Sequence, residues 1–297
     1  MTPQSVAEVE AALAAHGYLA DEGLATAVFL ALRLHRPLLL EGEPGVGKTE
    51  VAKVLAAWTG GELLRLQCYE GLDLGQAAYE WDHARQLLHL RAAELGGRNA
   101  DEVEGELWTD RFLLRRPLLR AVSAPAGTPP PVLLIDEVDR ADDEFEAYLL
   151  EVLADHAITV PERGTFTAVV PPVVVLTSNR TRDVHDALKR RCLYHWVEHP
   201  TLEREVAIVR LRAPDVAERL ARQVAAAVEH LRGLDLYKPP GVAETIDWAL
   251  AIAALGAESL DVDLVGATLG AVLKHREDQA RAATSTYEAI VRAAVAR

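Results

Sequence analysis

The feature that most constrains the fold is a glycine-rich stretch, Gly42 to Thr49, which reads GEPGVGKT. It matches the pattern G-x-x-x-x-G-K-[ST] at every fixed position. An apolar run, LLLEG, precedes it, and an amphipathic stretch ending at WTGG follows it. Glycines let the backbone close around phosphate groups, so that several N–H groups point inward. A strand, this turn and a helix in register predict a phosphate-binding loop, here called the P-loop.

The residue types of the P-loop indicate a nucleoside triphosphate with Mg²⁺. Lys48 is expected to carry its charge to the β- and γ-phosphates, and the Thr49 hydroxyl is expected to ligate Mg²⁺. The predicted ATP-binding residues are Gly42, Glu43, Pro44, Gly45, Val46, Gly47, Lys48, Thr49 and Glu50. The chain has no Asn-Lys-x-Asp base-reading motif, which disfavours a guanine-specific GTPase.

A second stretch, VLLIDEVDRADD, ends an apolar run in a group of carboxylates. Adjacent carboxylates repel each other, so a cation is expected between or near them. We predict that Asp136 holds Mg²⁺ through its water shell and that Glu137 polarises the attacking water as a general base. The acids that follow, Asp142 to Glu144, are expected to lie at a solvated helix N-terminus, where the helix dipole favours negative charge.

Two further positions complete a predicted hydrolytic site. Asn179 ends the apolar run VVVLTSN and is expected to hydrogen-bond the γ-phosphate or to orient the water; a simple turn-forming role is the alternative. Arg190 and Arg191 lie in the basic stretch DALKRRC. Taken as residues alone, they fit equally well as helix C-terminal charges or as an arginine finger that reaches ATP on a neighbouring subunit.

The order of elements predicts an α/β class. Five apolar runs read as strands, namely LLLEG, ELLRLQ, PPPVLLID, VVVLTSN and LYHWVEH, and helical stretches separate most of them. This alternation favours a mostly parallel five-stranded sheet flanked by helices. A hairpin is expected around Gly164, and two helical stretches are expected between residues 68 and 128. We predict one nucleotide-binding domain over residues 1–200 and an all-helical lid over 201–297.

Charge and cysteine content limit the kinds of partner and the cellular compartment to expect. The chain of 297 residues carries 31 Lys and Arg against 45 Asp and Glu, a formal charge of −14, which disfavours non-specific nucleic-acid binding. Cys68 and Cys192 form no C-x-x-C pair, which is typical of a reducing, cytoplasmic compartment. No apolar span reaches about 20 residues, so no transmembrane helix is expected.

Together, GEPGVGKT, LLIDEVDRAD, VVVLTSN and ALKRRC resemble the motifs of AAA+ ATPases, and specifically the MoxR branch. Within that branch, QCYEGLDLGQAAYEWDHARQLLHLR and KPPGVAETIDW are similar to the CoxD-type proteins. By motif position, the resemblance makes Arg191 the finger and Arg190 the fallback. One departure is clear: Glu244 and Thr245 stand where the family often has the Pro and Arg of a second sensor. Lys238 and Arg276 are both possible substitutes.

The resemblance implies Mg²⁺-dependent ATP hydrolysis by a ring of six subunits that remodels a client protein. The implied client is a metalloenzyme of the molybdenum- and copper-containing carbon monoxide dehydrogenase type, matured alongside a von Willebrand factor A-type partner. One alternative is an ATP-responsive binding or scaffold module with little turnover. Another is an AAA+ motor for a different client, such as a metal chelatase or DNA.

Overall fold

The computed structural model describes residues 3–284 and 287–295. The strands are β1 Leu38–Glu41, β2 Leu63–Gln67, β3 Tyr79–Trp81, β4 Leu113–Arg115, β5 Val132–Asp136, β6 Ala157–Val160, β7 Gly164–Thr167, β8 Val173–Ser178 and β9 Leu193–Trp196. The helices are α1 Val6–Ala15, α2 Glu22–Leu34, α3 Lys48–Thr59, α4 Leu74–Ala77, α5 His83–Leu95, α6 Ala100–Leu107, α7 Pro117–Val122, α8 Asp143–Asp155, α9 Asp186–Arg191, α10 Leu202–Arg212, α11 Glu218–Arg232, α12 Val242–Ala254, α13 Val262–Val272, α14 Arg276–Thr284 and α15 Tyr287–Val295. A short 3₁₀ turn, Val138–Arg140, follows β5.

The main sheet has five strands in the order β2-β5-β8-β1-β9. The pairs β2–β5, β5–β8 and β8–β1 are parallel. All five residues of β5 are buried, as expected for a strand that helices cover on both faces. The predicted α/β class with a five-stranded sheet is therefore confirmed. Because the strands are parallel, the polar residues that end β2, β5 and β8 meet at one edge, with Gln67 opposite Asp136.

The chain forms two compact units. The first comprises Asp21–Glu41, Val51–His195 and the described part of Met1–Ala12. Its core packs the sheet against the helices around it and includes Leu39, Leu133 and Leu149. The second comprises Leu13–Ala20, Gly42–Glu50 and the described part of Trp196–Arg297. Its core lies among α10–α15 and surrounds the fully buried Trp248.

Local signals explain where several helices begin. The Asp142 carboxylate accepts a hydrogen bond from the Phe145 N–H at 2.8 Å, so it caps α8 as an acid at a helix N-terminus should. Asp21 caps α2 in the same way, through the Leu24 N–H at 2.7 Å. The predicted hairpin around Gly164 is confirmed as β6 and β7. Within the described residues, no helix is both long enough and apolar enough to span a bilayer.

The segment between β2 and β5 differs from the prediction of two helical stretches. It contains four helices, α4 to α7, and a two-stranded antiparallel ribbon of β3 and β4. Each strand of the ribbon has three residues, too few to display an alternating pattern. The ribbon is held by packing instead: Trp81 is 8% exposed and meets Trp108 edge-to-face at 5.1 Å between ring centroids.

Candidate nucleotide-binding and hydrolysis site

The P-loop lies in the second unit, where its glycines are required by close contacts. A Cβ at Gly42 would collide with the carbonyl oxygen of Val197. Gly45 has φ +80°, a left-handed conformation, and a Cβ there would lie 2.9 Å from the Glu244 carboxylate. Both positions therefore exclude larger residues. Without side chains at these positions, the backbone of the loop can come close to phosphate groups.

Lys48 is the first residue of α3 and is only 5% exposed. Its Nζ donates to the carbonyl oxygens of Gly42 at 2.6 Å and Glu43 at 2.8 Å, which directs the ammonium back over the loop. The N–H groups at the start of a helix lack intrahelical acceptors, and the helix dipole favours anions there. Glu50, two residues further along, forms an ion pair with Arg212.

A cavity of about 180 Å³ adjoins the P-loop within the second unit. Its walls are mainly apolar, and two arginines contribute to its lining. The lining residues are Gly17, Tyr18, Leu19, Gly45, Val46, Gly47, Glu50, Val197, Glu198, Pro200, Arg204, Ile208, Arg212, Val242, Ala243 and Ile246. An apolar cavity next to an anion-binding loop suits a ligand with a flat apolar ring at one end and phosphates at the other.

The carboxylates predicted to serve catalysis lie in the first unit, at the carboxyl-terminal ends of the parallel strands. Asp136 ends β5 and is 3% exposed. Its Oδ1 accepts from the Thr177 hydroxyl at 2.6 Å, and its Oδ2 accepts from Arg65 Nη2 at 2.6 Å. A buried carboxylate needs such partners, because desolvation strongly disfavours the charged form.

Glu137 follows in a left-handed backbone conformation, with φ +55° and ψ +51°. Its N–H donates to the Thr177 hydroxyl oxygen at 2.9 Å. Its carboxylate accepts from Asn179 Nδ2 at 3.1 Å on one oxygen; on the other it accepts from Gln67 Nε2 at 3.1 Å and pairs with Arg140 Nε at 3.0 Å. Glu137 and Asn179, two of the residues predicted from sequence, therefore lie in direct contact.

Asp139 fixes the loop that carries Asn179. It is 1% exposed, and its Oδ1 accepts from the Asn179 N–H at 3.2 Å. Its Oδ2 accepts from the Thr181 N–H at 2.8 Å and from the Thr181 hydroxyl at 2.7 Å. The turn after β5 and the turn after β8 are thus joined by one buried carboxylate.

The two candidate finger arginines lie at the end of α9. The Arg36 guanidinium donates to the carbonyl oxygens of Arg190 at 3.0 Å, Arg191 at 3.3 Å and Cys192 at 3.4 Å, and so caps the helix. The side chains of Arg190 and Arg191 are both exposed. The Arg191 guanidinium donates to the Leu150 carbonyl oxygen, whereas the Arg190 side chain makes no hydrogen bond or ion pair with any other described residue.

Thr245, which the sequence resemblance aligns with the arginine of a second sensor, is a fully buried residue of α12. Lys238 and Arg276, the two possible substitutes, are exposed. Through its side chain, neither forms a hydrogen bond or ion pair within residues 3–284 and 287–295.

Sequence reasoning missed the residues that support Asp136, Glu137 and Asn179, namely Arg65, Gln67, Asp139, Arg140 and Thr177. Two of these could be recognised in the sequence, because Thr177 and Gln67 are polar residues at the ends of apolar strands. Using that signal requires knowing that β2 and β8 flank β5, which a single sequence does not reveal.

Burial shifts several ionisation equilibria. It is the main reason that the pKa of Cys68 rises to about 12, with Asp136 and Asp139 adding to the effect. Burial raises the pKa of Cys192 to about 12 as well, so both thiols stay protonated at neutral pH. In the second unit, burial, followed by the positive charges of Arg232 and Lys48, lowers the pKa of His199 to about 4.

The second unit carries a P-loop, and the first carries an Asp-Glu pair and an Asn at the ends of neighbouring parallel strands. These are the motifs of the AAA+ class. The family described as the AAA domain, dynein-related subfamily, matches residues 37–192, which is more than half of the chain. The chain therefore belongs to this AAA family, and membership supports an ATPase-type activity.

Solved structures agree on the fold. A proline-to-glycine mutant of Thermotoga maritima RuvB is similar at 17% identity and a TM-score of 0.50, covering 94% of this chain and 76% of that one. An alanine-to-serine mutant of the same protein is similar at 18% identity and a TM-score of 0.50, covering 90% of this chain and 72% of that one. At these identities the likeness establishes the AAA+ fold with its C-terminal helical region.

Proposed function

We propose that this protein is a Mg²⁺-dependent ATPase that uses hydrolysis to change the conformation of a client protein. The observation that carries the proposal is the Glu137 carboxylate, which accepts a hydrogen bond from Asn179 at 3.1 Å beside the buried carboxylate of Asp136. A general base next to a polar residue that orients water is the arrangement that hydrolysis of a γ-phosphate requires.

The residues present fit a triphosphate with its metal. The glycines at 42 and 45 form a cradle that a Cβ would fill, and a nearly buried lysine, Lys48, adds positive charge. Thr49 and Asp136 would hold Mg²⁺, which proteins usually bind through one or two carboxylates together with substrate phosphates. When bound, the ion neutralises charge on the β- and γ-phosphates.

Hydrolysis then proceeds by attack of water on the γ-phosphorus. Glu137 accepts the proton that the water loses, while Asn179 holds the water or a γ-phosphate oxygen. The bond between the γ-phosphorus and the bridging oxygen breaks, and ADP leaves with the electron pair. Lys48 stabilises the charge on the phosphate oxygens as this bond breaks.

The active assembly in this proposal is a ring of six subunits. AAA+ proteins commonly form oligomeric rings, and the basic end of α9 supports a finger that reaches ATP on the neighbouring subunit. Arg191 takes this role by motif position, and Arg190 is the alternative. An arginine finger contributes roughly 10³–10⁵ in rate where one operates.

For the client, the MoxR-like and CoxD-like segments support maturation of a carbon monoxide dehydrogenase-type metalloenzyme, together with a von Willebrand factor A-type partner. A chelatase motor is the alternative within the same class. A DNA client is disfavoured by the formal charge of −14. Salt-dependent DNA binding would reveal such a client directly.

Substituting Glu137→Gln tests the role of the general base. Glutamine keeps the size of the side chain and removes the proton acceptor, so ATP should still bind while turnover falls at least about tenfold. The matched control is Glu144→Gln, the same change at an exposed acid in the first turn of α8, which should leave turnover unaltered. Equal turnover in Glu137→Gln and wild type would refute the assignment.

A binding module is distinguished from an ATPase by turnover itself. ATP hydrolysis by the purified wild-type chain should be measurable and should change when the von Willebrand factor A-type partner is added. ATP binding without hydrolysis, with or without that partner, would favour the scaffold alternative.

A further inference from the structure

The first turn of α12 is bonded directly to the P-loop. The N–H groups of Val242 and Ala243 donate to the carbonyl oxygen of Gly45, at 3.0 Å and 3.4 Å. The approach is close: a Cβ on Gly241 would lie 2.7 Å from the Cα of Gly45. A helix N-terminus normally satisfies its free N–H groups with a cap or water. Here the loop that would bind phosphate supplies the acceptor.

The peptide that leads into α12 is held on several sides. Arg232 Nε donates to the Pro240 carbonyl oxygen at 2.8 Å. The Gly241 N–H donates to the Glu244 carboxylate at 2.9 Å, and the Thr245 hydroxyl lies 3.1 Å from the Gly241 carbonyl oxygen. The position of the first turn is therefore set by side chains and not by the turn alone.

These side chains converge on one buried carboxylate. Glu205 is 1% exposed and accepts from the Thr245 hydroxyl at 2.5 Å. The Arg232 guanidinium, 11% exposed, binds it in a fork, at 2.6 Å and 2.7 Å. A buried ion pair is strongly destabilised when one partner is removed, because the other charge then lacks compensation. The side chains of Thr245, Glu205 and Arg232 are therefore held in one favoured arrangement.

Neither Arg232 nor Thr245 needs to touch a nucleotide for this network to respond to one. Triphosphate in the P-loop would fix the geometry of the Gly45 peptide, and the N–H groups of Val242 and Ala243 in α12 are bonded to the oxygen of that peptide. A shift at Gly45 must therefore move α12 or break two hydrogen bonds. This route differs from a sensor arginine, which reads phosphate with its own side chain.

We infer that Thr245, Glu205 and Arg232 are positioning residues that hold α12 against Gly45 and so couple occupancy of the P-loop to the helical lid. They do the work that a second-sensor arginine does in the proteins this chain resembles, but through the backbone of the loop. The inference rests on the proposed nucleotide-binding function. It assigns the coupling to a residue, Thr245, that occupies the place of the arginine.

Thr245→Val is the direct test, because valine keeps the shape of threonine and removes the hydroxyl. The matched control is Thr268→Val in α13, whose buried hydroxyl accepts from Trp248 Nε1 at 2.7 Å within the same helical bundle. Two quantities are measured on the full chain: the Kd for Mg·ADP and a non-hydrolysable ATP analogue, and hydrogen exchange of the α12 amides with and without each nucleotide.

In wild type and in Thr268→Val, nucleotide should slow exchange in α12. In Thr245→Val, the nucleotide-dependent protection should be lost, and affinity should fall by about fivefold or more, the range of ordinary coupling energies. Unchanged affinity and unchanged protection in Thr245→Val would overturn the inference. If wild type binds neither nucleotide, the proposed function is refuted, and the inference is refuted as well because it rests on that function.

A second variant tests the inference in case Thr245→Val does not fold. Gly241→Ala keeps the side chains of Thr245, Glu205 and Arg232 and places a methyl group against the Gly45 backbone, so it should weaken nucleotide binding and protection of α12 in the same way. Gly105→Ala is its control, because outside its own stretch of helix no atom of the described residues lies within 4 Å of the added Cβ. Normal coupling in Gly241→Ala would equally overturn the inference.

Discussion

Thr177 makes two hydrogen bonds, one to the Asp136 carboxylate and one to the Glu137 N–H, and Thr177→Val removes both. The hydroxyl donates to Asp136 Oδ1 at 2.6 Å and accepts from the Glu137 N–H at 2.9 Å. Valine has nearly the same shape and suits a buried strand, so packing and strand propensity change little. The substitution therefore isolates the loss of hydrogen bonding.

The expected cost follows from the two partners. A hydrogen bond to an ionised group contributes about 1.5–3 kcal/mol, and an N–H left without an acceptor costs about 1–3 kcal/mol when buried. Asp136 is 3% exposed, so water cannot readily replace the hydroxyl there. Glu137 is only partly buried, so its N–H belongs at the lower end of the range. The first unit should lose about 2–4 kcal/mol of unfolding free energy.

Urea unfolding followed by tryptophan fluorescence measures this loss. Trp81 and Trp108 pack together in the first unit and report on it. The control is Thr159→Val, because among the described residues the Thr159 hydroxyl bonds only the Thr165 hydroxyl, at 2.9 Å and in an exposed position. Its cost should stay below about 0.5 kcal/mol. If Thr177→Val unfolds at the same urea concentration as wild type and Thr159→Val, the hydrogen-bond reasoning is wrong.

The remaining predictions concern His199 and the finger arginines. Because the folded-state pKa of His199 is lowered to about 4 from its ordinary value of 6.5, the unfolded state binds the proton first and stability falls as pH decreases through that interval. Because His199 is only partly buried, solvent screening reduces the full linkage energy, and wild type should lose roughly 1 kcal/mol more than His199→Gln between pH 7 and pH 5; parallel stability profiles would contradict this. Separately, Arg191→Ala should lower ATP turnover by roughly 10³ with ADP binding retained, while Arg190→Ala should change it less than about threefold. The reverse pattern in a steady-state phosphate-release assay would move the finger to Arg190.

Much of the fold was accessible from sequence because its signals are contiguous. The P-loop carries its glycines, lysine and threonine within eight positions, and β5 runs unbroken into Asp136 and Glu137. The apolar runs that predicted five strands are the five strands of the main sheet. Parallel strands buried on both faces produce such runs, so the pattern and the structure have the same physical cause.

The supporting residues were not accessible because they depend on long-range pairing. Gln67 reaches Glu137 only because β2 lies beside β5, and Thr177 reaches it only because β8 lies on the other side. The Thr245–Glu205 bond joins residues 40 positions apart. In each case the residue type is unremarkable alone, and its meaning comes from a neighbour that a single sequence does not identify.

The left-handed backbone of Glu137 carries a cost of its own. An L-residue other than glycine, asparagine or aspartate pays about 1–2 kcal/mol in that region, since its Cβ crowds the following carbonyl oxygen. Glycine or asparagine would relieve this strain and would also delete the carboxylate. Selection for stability alone would therefore disfavour glutamate at position 137, so its presence there fits the role in catalysis that we propose for its carboxylate.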